Sequence, residues 1–293
     1  METLEAVGRS IASTEGLASL VSTMKALSAV NIRQYERAVE SVRDYYGTVE
    51  LGLHVVLGRR GPDHGRRPPV AGRTAAFVFG SDYGLCGRFN DEIASFALER
   101  LDRLGVEPSD RLVGAVGARA GGHLRDLGQP LETEVISPSS VAGLDAAVQR
   151  LLVTIDEWGS QRGVGRVLLV YHQHRTPIEQ RLHAEQLLPL QLSRFRHLAA
   201  GRWPSRRLPT FTMDAEPLLA ALLRQYLFVA VFRAFAESAA SEHASRVQTM
   251  QAAQHNLDER LGELRVQFHR RRQDAITAEL LDIVSGFEAL KDS

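Results

Sequence analysis

The sequence predicts an α/β fold whose long N- and C-terminal helices form an antiparallel coiled coil. Three observations carry that prediction. The first proline is Pro62 and none follows Pro217, so each end of the chain can run as uninterrupted helix. Both ends carry apolar residues at spacings of three and four, the stripe of a two-helix seam. The middle instead alternates short apolar runs with amphipathic segments, the texture of a mostly parallel sheet covered by helices.

Taken in order, residues 3–57 read as one helix. Leu17, Leu20, Met24 and Leu27 mark its first stripe, and Ala38, Val42, Tyr45, Val49, Leu53 and Val56 its second. Gly8 and Gly16 weaken the first turns by about 1 kcal/mol each against alanine. GRRGPDHGRRPPVAG (58–72) has no period and reads as a linker or exposed loop. TAAFVFG (74–80) is a buried strand and FNDEIASFALERL (89–101) a helix. A strand at 111–117, a short helix at 118–128, a weakly patterned strand at 131–136 and a helix at 140–158 follow. Strands at 166–174 and 179–189 complete a central Rossmann-like α/β domain. Glu216-Pro217 opens the last helix, with proline in its first turn. Met250, Gln254, Leu257, Leu261, Leu264 and Phe268 form its stripe, continued by Ile276, Leu280, Ile283, Phe287 and Leu290. At 1.5 Å per residue, 218–290 spans about 110 Å, too long for a globule of this chain length. The helix must protrude, and its stripe needs a second helix, which the N-terminal segment supplies. The expected domains are 1–58 (N-terminal coiled-coil helix), 59–72 (linker), 73–212 (α/β domain) and 213–293 (C-terminal coiled-coil helix).

Composition excludes several function classes. Thirty-five basic and thirty-five acidic residues cancel, leaving no general attraction to nucleic acid or acidic lipid. A single cysteine makes no internal disulfide. No run reaches the roughly 18 uninterrupted apolar residues of a membrane span, and METLEAVGRS is neither a secretory signal nor a transit peptide. The expectation is a cytosolic chain, or one peripheral to something that spans.

FGSDYGLCGRFN (79–90) stands where a phosphate loop would, between a strand and a helix. Gly80, Gly84 and Gly87 nevertheless give G-x-x-x-G-x-x-G, neither the dinucleotide fingerprint nor a P-loop, and Asp82 would repel a phosphate. Cys86 reads as a small packed residue rather than a reactive thiol, Arg88 being its only adjacent cation. His172 and His174 share a strand face but are too few for zinc. Arg270, Arg271 and Arg272 fan around a helix rather than forming a patch. No carboxylate pair, nucleophile–base arrangement or cofactor box appears, so neither an enzyme acting alone nor a bound cofactor is expected.

Residues 276–289, ITAELLDIVSGFEA, resemble the C-terminal signature of the gamma subunit of F-type ATP synthases, through Ile276, Thr277, Glu279, Asp282 and Gly286. RRQDAIT just upstream is similar to that family's R-Q-x-x-I-T. Its E-S-x-x-S-E-x-x-x-R is matched by Glu237, Ser238, Ser241, Glu242 and Arg246. TMKALSAVNIR (23–33) and SDYGLCGRFN (81–90) resemble two further family segments, in the right order along the chain. Phe287 and Arg88 depart from the alanine and glycine usual there, and the branch is divergent.

The resemblance implies a non-catalytic central-stalk subunit. Its two helices would be a shaft inside a hexamer of alpha and beta subunits. Its α/β domain would pack on the epsilon subunit and the membrane c-ring, at the cytoplasmic face of a bacterial or archaeal membrane. Rotation would couple proton or sodium flow to the catalytic sites on beta. It implies further that Arg272, Gln273, Thr277 and Glu279 contact beta, that Met24 and Lys25 face beta's moving lever, and that Glu242 and Arg246 belong to a coupling region. Read from the residues alone, Met24 could equally be seam packing and Glu242–Arg246 a simple i,i+4 pair. A nucleotide-dependent α/β enzyme with dimerising helices and a coiled-coil scaffold are the alternatives.

Overall fold

The computed structural model describes residues 3–58, 72–175, 179–190 and 209–291. All but the last residue of the expected linker lies outside them. Along the described chain, α1 (Leu4–Gly58) is followed by β1 (Arg73–Phe79), α2 (Phe89–Arg103), β2 (Arg111–Val116), α3 (Ala118–Asp126) and β3 (Thr133–Val135). Then come α4 (Leu144–Arg162), β4 (Val164–His174), β5 (Gln180–Leu188) and the 77-residue helix α5 (Ala215–Lys291).

The five strands form one sheet in the order β3-β2-β1-β4-β5. The first four are parallel and β5 runs antiparallel to β4. Because successive side chains leave a strand on opposite faces, the sheet builds two cores. Ala76, Val78, Val113, Ala115, Leu168 and Val170 pack under Ile93, Ala97 and Leu101 of α2 and Leu124 of α3. Ala75, Phe77, Phe79, Leu112, Leu169 and Tyr171 face the other way, against α4, α5 and Tyr35 of α1. The terminal helices are therefore a structural layer of the α/β body.

The chain divides into two compact units, the described parts of 1–28 with 247–293, and of 29–246. In the larger unit α1 and α5 meet through Tyr35–His243, Tyr46–Tyr226 and Gly52–Leu222, one number rising as the other falls, so they run antiparallel. A Cβ on Gly52 would come within 2.9 Å of a Leu222 methyl, so glycine permits the close approach. In the smaller unit Lys25–Gln254 and Glu15–Arg265 repeat that order.

The seam phase differs from the sequence reading. Leu17, Leu20 and Leu27 are exposed, at 51%, 56% and 61%, and Tyr45 is exposed too. The buried and half-buried line is instead Val7, Ile11, Thr14, Ala18, Val21, Lys25 and Ser28, one residue further on. In the larger unit the expected stripe of Ala38, Val42, Val49, Leu53 and Val56 is buried or half-buried, Tyr45 apart, with Ile32, Tyr35 and Tyr46 beside it. On α1 Val7, Ile11 and Val21 alternate with small and polar residues in the smaller unit's contact, and Leu17, Leu20 and Leu27 lie outside it. On α5, Met250, Gln254, Leu257, Leu261, Leu264 and Phe268 are buried or half-buried as expected. α5 also contains a window of mean hydropathy 1.6, apolar enough by length and composition to cross a membrane. Its apolar residues Ala230, Val231, Phe235, Ala236 and Ala240 are buried in the sheet's core.

Candidate functional site

The C-terminal end of α5 is exposed along its whole described circumference from His269 to Ser285. Phe268 lies 3.6 Å from where a Cβ of Gly8 would stand, near the start of α1 at Leu4. From about residue 273, α5 therefore continues past the end of the helix it pairs with. Ile276, Leu280 and Ile283 are 48%, 57% and 68% exposed and line one side of this extension. At about 100° per residue, Gln273 and Thr277 flank one edge of the stripe, and Arg272 and Glu279 the other. All four are exposed. The Thr277 hydroxyl donates back to the Gln273 carbonyl at 2.9 Å, which fixes its rotamer. Val284 and Leu281, also exposed, widen the apolar face on the Gln273–Thr277 side, where polar and apolar residues alternate. An exposed apolar face set among polar residues has the anatomy of a docking face.

On α1, Met24 is half-buried. Lys25, also half-buried, donates from Nζ to Gln254 Oε1 at 2.5 Å. An ammonium has three donors, so the structure places Lys25 within the helix pair with two donors beyond that bond.

Residues 237–246 sit elsewhere, on the docked half of α5. Three hydroxyls at spacings of three and four donate to backbone carbonyls of β1, β4 and the loop before α2. Ser238 bonds Phe79 O at 3.2 Å, Ser241 bonds His172 O at 3.2 Å, and Ser245 bonds Cys86 O at 2.7 Å. The sequence reading did not assign these serines a role, although their helical periodicity was available. Arg246 donates to Glu242 at 2.5 Å and to Gly84 O at 3.4 Å. Burial pushes the Glu242 carboxyl above its usual range, and Arg246 opposes that. This pair is buried and clamps the loop before α2, unlike an exposed i,i+4 pair. His243 stacks on Tyr35, and burial with the nearby Arg246 charge lowers it to about 4. His172 stacks on Phe89 at 4.2 Å and bonds its carbonyl, and burial lowers it to about 4. His174 meets Glu36 of α1 at 2.8 Å.

The 79–90 loop is filled by its own groups. Asn90 accepts from Ser81 N at 2.9 Å and donates to Ser81 Oγ at 2.8 Å. A Cβ on Gly80 would stand 2.3 Å from Ala120 Cβ, so only glycine fits. Asp82 accepts from Ala118 N at 3.0 Å and Ser137 N at 2.8 Å. A carboxylate of the protein thus occupies the N-terminus of α3, where a phosphate would otherwise be held. Cys86 is buried, and burial pushes its thiol up. Arg88 is exposed on the turn before α2, within 3.7 Å of Asp91 and Glu92.

The ATP synthase family model matches residues 3–290. The ATP synthase gamma chain of Anaeromyxobacter sp. (strain Fw109-5) is 31% identical over 99% of this chain and 100% of its own. That of Granulibacter bethesdensis is 30% identical over the same shares. The chain belongs to the ATP synthase gamma chain family. Two solved structures are similar in fold. One is the central stalk and c-ring of the Tetrahymena thermophila mitochondrial ATP synthase, with TM-score 0.57 and 21% identity over 80% of this chain and 99% of that one. The other is the Euglena gracilis mitochondrial ATP synthase with its OSCP, F1 and c-ring, with TM-score 0.61 and 16% identity over 98% of this chain and 94% of that one. Within this gamma chain the residues singled out by sequence fall into three groups, of which Met24 and Lys25 on α1 are one. Arg272, Gln273, Thr277 and Glu279 share the exposed end of α5. Glu242 and Arg246 share the buried strip where α5 meets the sheet.

Proposed function

We propose that this gamma chain is the central-stalk subunit of a proton- or sodium-translocating ATP synthase. It couples rotation of a membrane c-ring to the conformational cycle of catalytic beta subunits, and catalyses nothing itself. The observation that carries the reading is the extension of α5 past α1, with its exposed apolar line and rim of Arg272, Gln273, Thr277 and Glu279. α1 and α5 act as an antiparallel coiled-coil shaft within a hexamer of alpha and beta subunits. A shaft with different side chains around its circumference offers each beta subunit a different contact, and so favours a different conformation in each. Met24 and the remaining donors of Lys25 meet beta's moving lever. The Rossmann-like α/β body, with helices on both faces of its sheet, packs on the epsilon subunit and the c-ring. That places the chain at the cytoplasmic face of a bacterial or archaeal membrane, peripheral to it. The serine strip and the Glu242–Arg246 pair fix the body to α5, so torque entering one reaches the other.

The test is the Thr277→Ala, Glu279→Ala double variant in the assembled complex. Assembly is retained and ATP turnover falls. Unchanged turnover overturns the assignment of these residues to beta contact.

A further inference from the structure

We infer that Glu237, Arg233 and Glu185 form a proton-responsive latch that seats α5 on the antiparallel edge of the sheet. Four elements converge there. Arg233 and Glu237 lie one turn apart on α5, Glu185 is on β5 and Tyr171 on β4, and α1 contributes Tyr46, whose ring lies 5.8 Å from the Arg233 guanidinium. Arg233 Nη2 donates to Glu185 Oε2 at 2.8 Å, and the Tyr171 hydroxyl donates to the same oxygen at 3.4 Å. Glu237 Oε1 stands 3.6 Å from Arg233 Nε, outside hydrogen-bond range. Glu237 is 7% exposed, and its Oε2 has no hydrogen-bond partner among the described residues.

The cluster thus holds two carboxylates around one guanidinium in a nearly closed site. The charged groups facing Glu237 are Arg233 on its own helix, Glu185 on β5 and Arg43 on α1. His183 of β5 lies edge-on to Tyr171 at 5.2 Å. Two ionised carboxylates competing for one buried cation are unfavourable, and the less well bonded one keeps its proton. That one is Glu237. Burial pushes its carboxyl up to about 7, with Arg233 opposing and Glu185 adding to the rise. With Glu237 neutral, Arg233 serves Glu185 alone and α5 is held to β5. As pH rises, Glu237 ionises, draws on the same guanidinium and loosens that hold. The sign follows from the native carboxyl binding its proton more tightly than the unfolded one. The latch's contribution is complete below about pH 4.5 and declines as pH rises to about 7.

Two measurements on the full chain test this. The first is thermal unfolding of wild type and Glu237→Gln from about pH 5 to 8. The amide keeps the neutral shape and cannot ionise, so the variant's Tm advantage grows by a few degrees between about pH 5 and 7 and then levels. His172 and His243 titrate in both proteins and cancel in the difference. The second is carboxyl-¹³C glutamate NMR of the wild-type chain, with Glu242→Gln identifying the resonance of the other carboxyl that burial pushes up. A resonance other than that of Glu242 titrates near neutrality, while exposed glutamates finish near their ordinary value of about 4.3. A Tm difference that does not change with pH overturns the proposal. So does a spectrum in which every glutamate other than Glu242 has titrated below about pH 5.5, and this second result decides alone where the Glu237 variant does not fold.

Discussion

The two halves of α5 are one continuous helix in two different settings. From Tyr226 to Arg246 it carries Val229, Ala230, Val231, Ala234, Phe235, Ala236 and Ala240, all buried against the sheet and its neighbours, with three serines bonded to carbonyls of β1, β4 and the loop before α2. From His269 to Ser285 its aliphatic residues are as regularly spaced and lie exposed. Helical propensity does not separate them. Alanines and serines suit the first half to close approach of a sheet, where a larger side chain would hold the helix away. Isoleucine and leucine flanked by charged and amide groups suit the second to a surface supplied by another molecule. The same periodicity thus marks an internal contact in one half and an exposed face in the other.

Substitutions sharpen that contrast. Phe235→Ala removes a ring packed edge-on to Phe79 at 4.9 Å, and is expected to cost about 4 kcal/mol in urea unfolding. Leu280→Asn in the exposed half should change the isolated chain's stability by less than about 0.5 kcal/mol. A comparable cost at both sites would break the distinction. Arg246→Met leaves the buried Glu242 carboxylate without its cation and the loop at Gly84 without its clamp. A loss of about 3 kcal/mol is expected, with the transition of loop 81–87, followed by hydrogen exchange, moving with the global one.

The docked half should also be the acid-sensitive half. His172 is held neutral by burial, with a native value of about 4 against an ordinary 6.5. The unfolded chain therefore binds more protons in that window, and stability falls as pH drops from about 6.5 to 4, by up to about 3 kcal/mol. His172→Gln should flatten that part of the wild-type stability–pH curve. An unchanged slope means that the ring is solvated.

Much of the body was readable from sequence because its strands are short apolar runs bounded by turn residues, and its helices follow them closely along the chain. The phase of the seam in the first half of α1 was not. Leu17, Leu20 and Leu27 are the more apolar choice, yet the contact runs through Thr14, Ala18, Lys25 and Ser28. A hydrophobic period gives a helix an apolar face and is silent on whether the same chain buries it. The failed phosphate spacing at 79–90 was readable, but its structural counterpart, Asp82 bonding two backbone amides from distant segments, needs the tertiary fold. Ser238, Ser241 and Ser245 were visible as a period without a partner to explain it.

The central claim is that the exposed line on α5 is covered by the alpha and beta subunits. Leu280→Cys tests it most directly, because the native Cys86 is 1% exposed and does not compete for a thiol reagent. Labelling of position 280 should be fast in the isolated chain and strongly suppressed in the assembled complex. Equal labelling rates in the two would contradict the account.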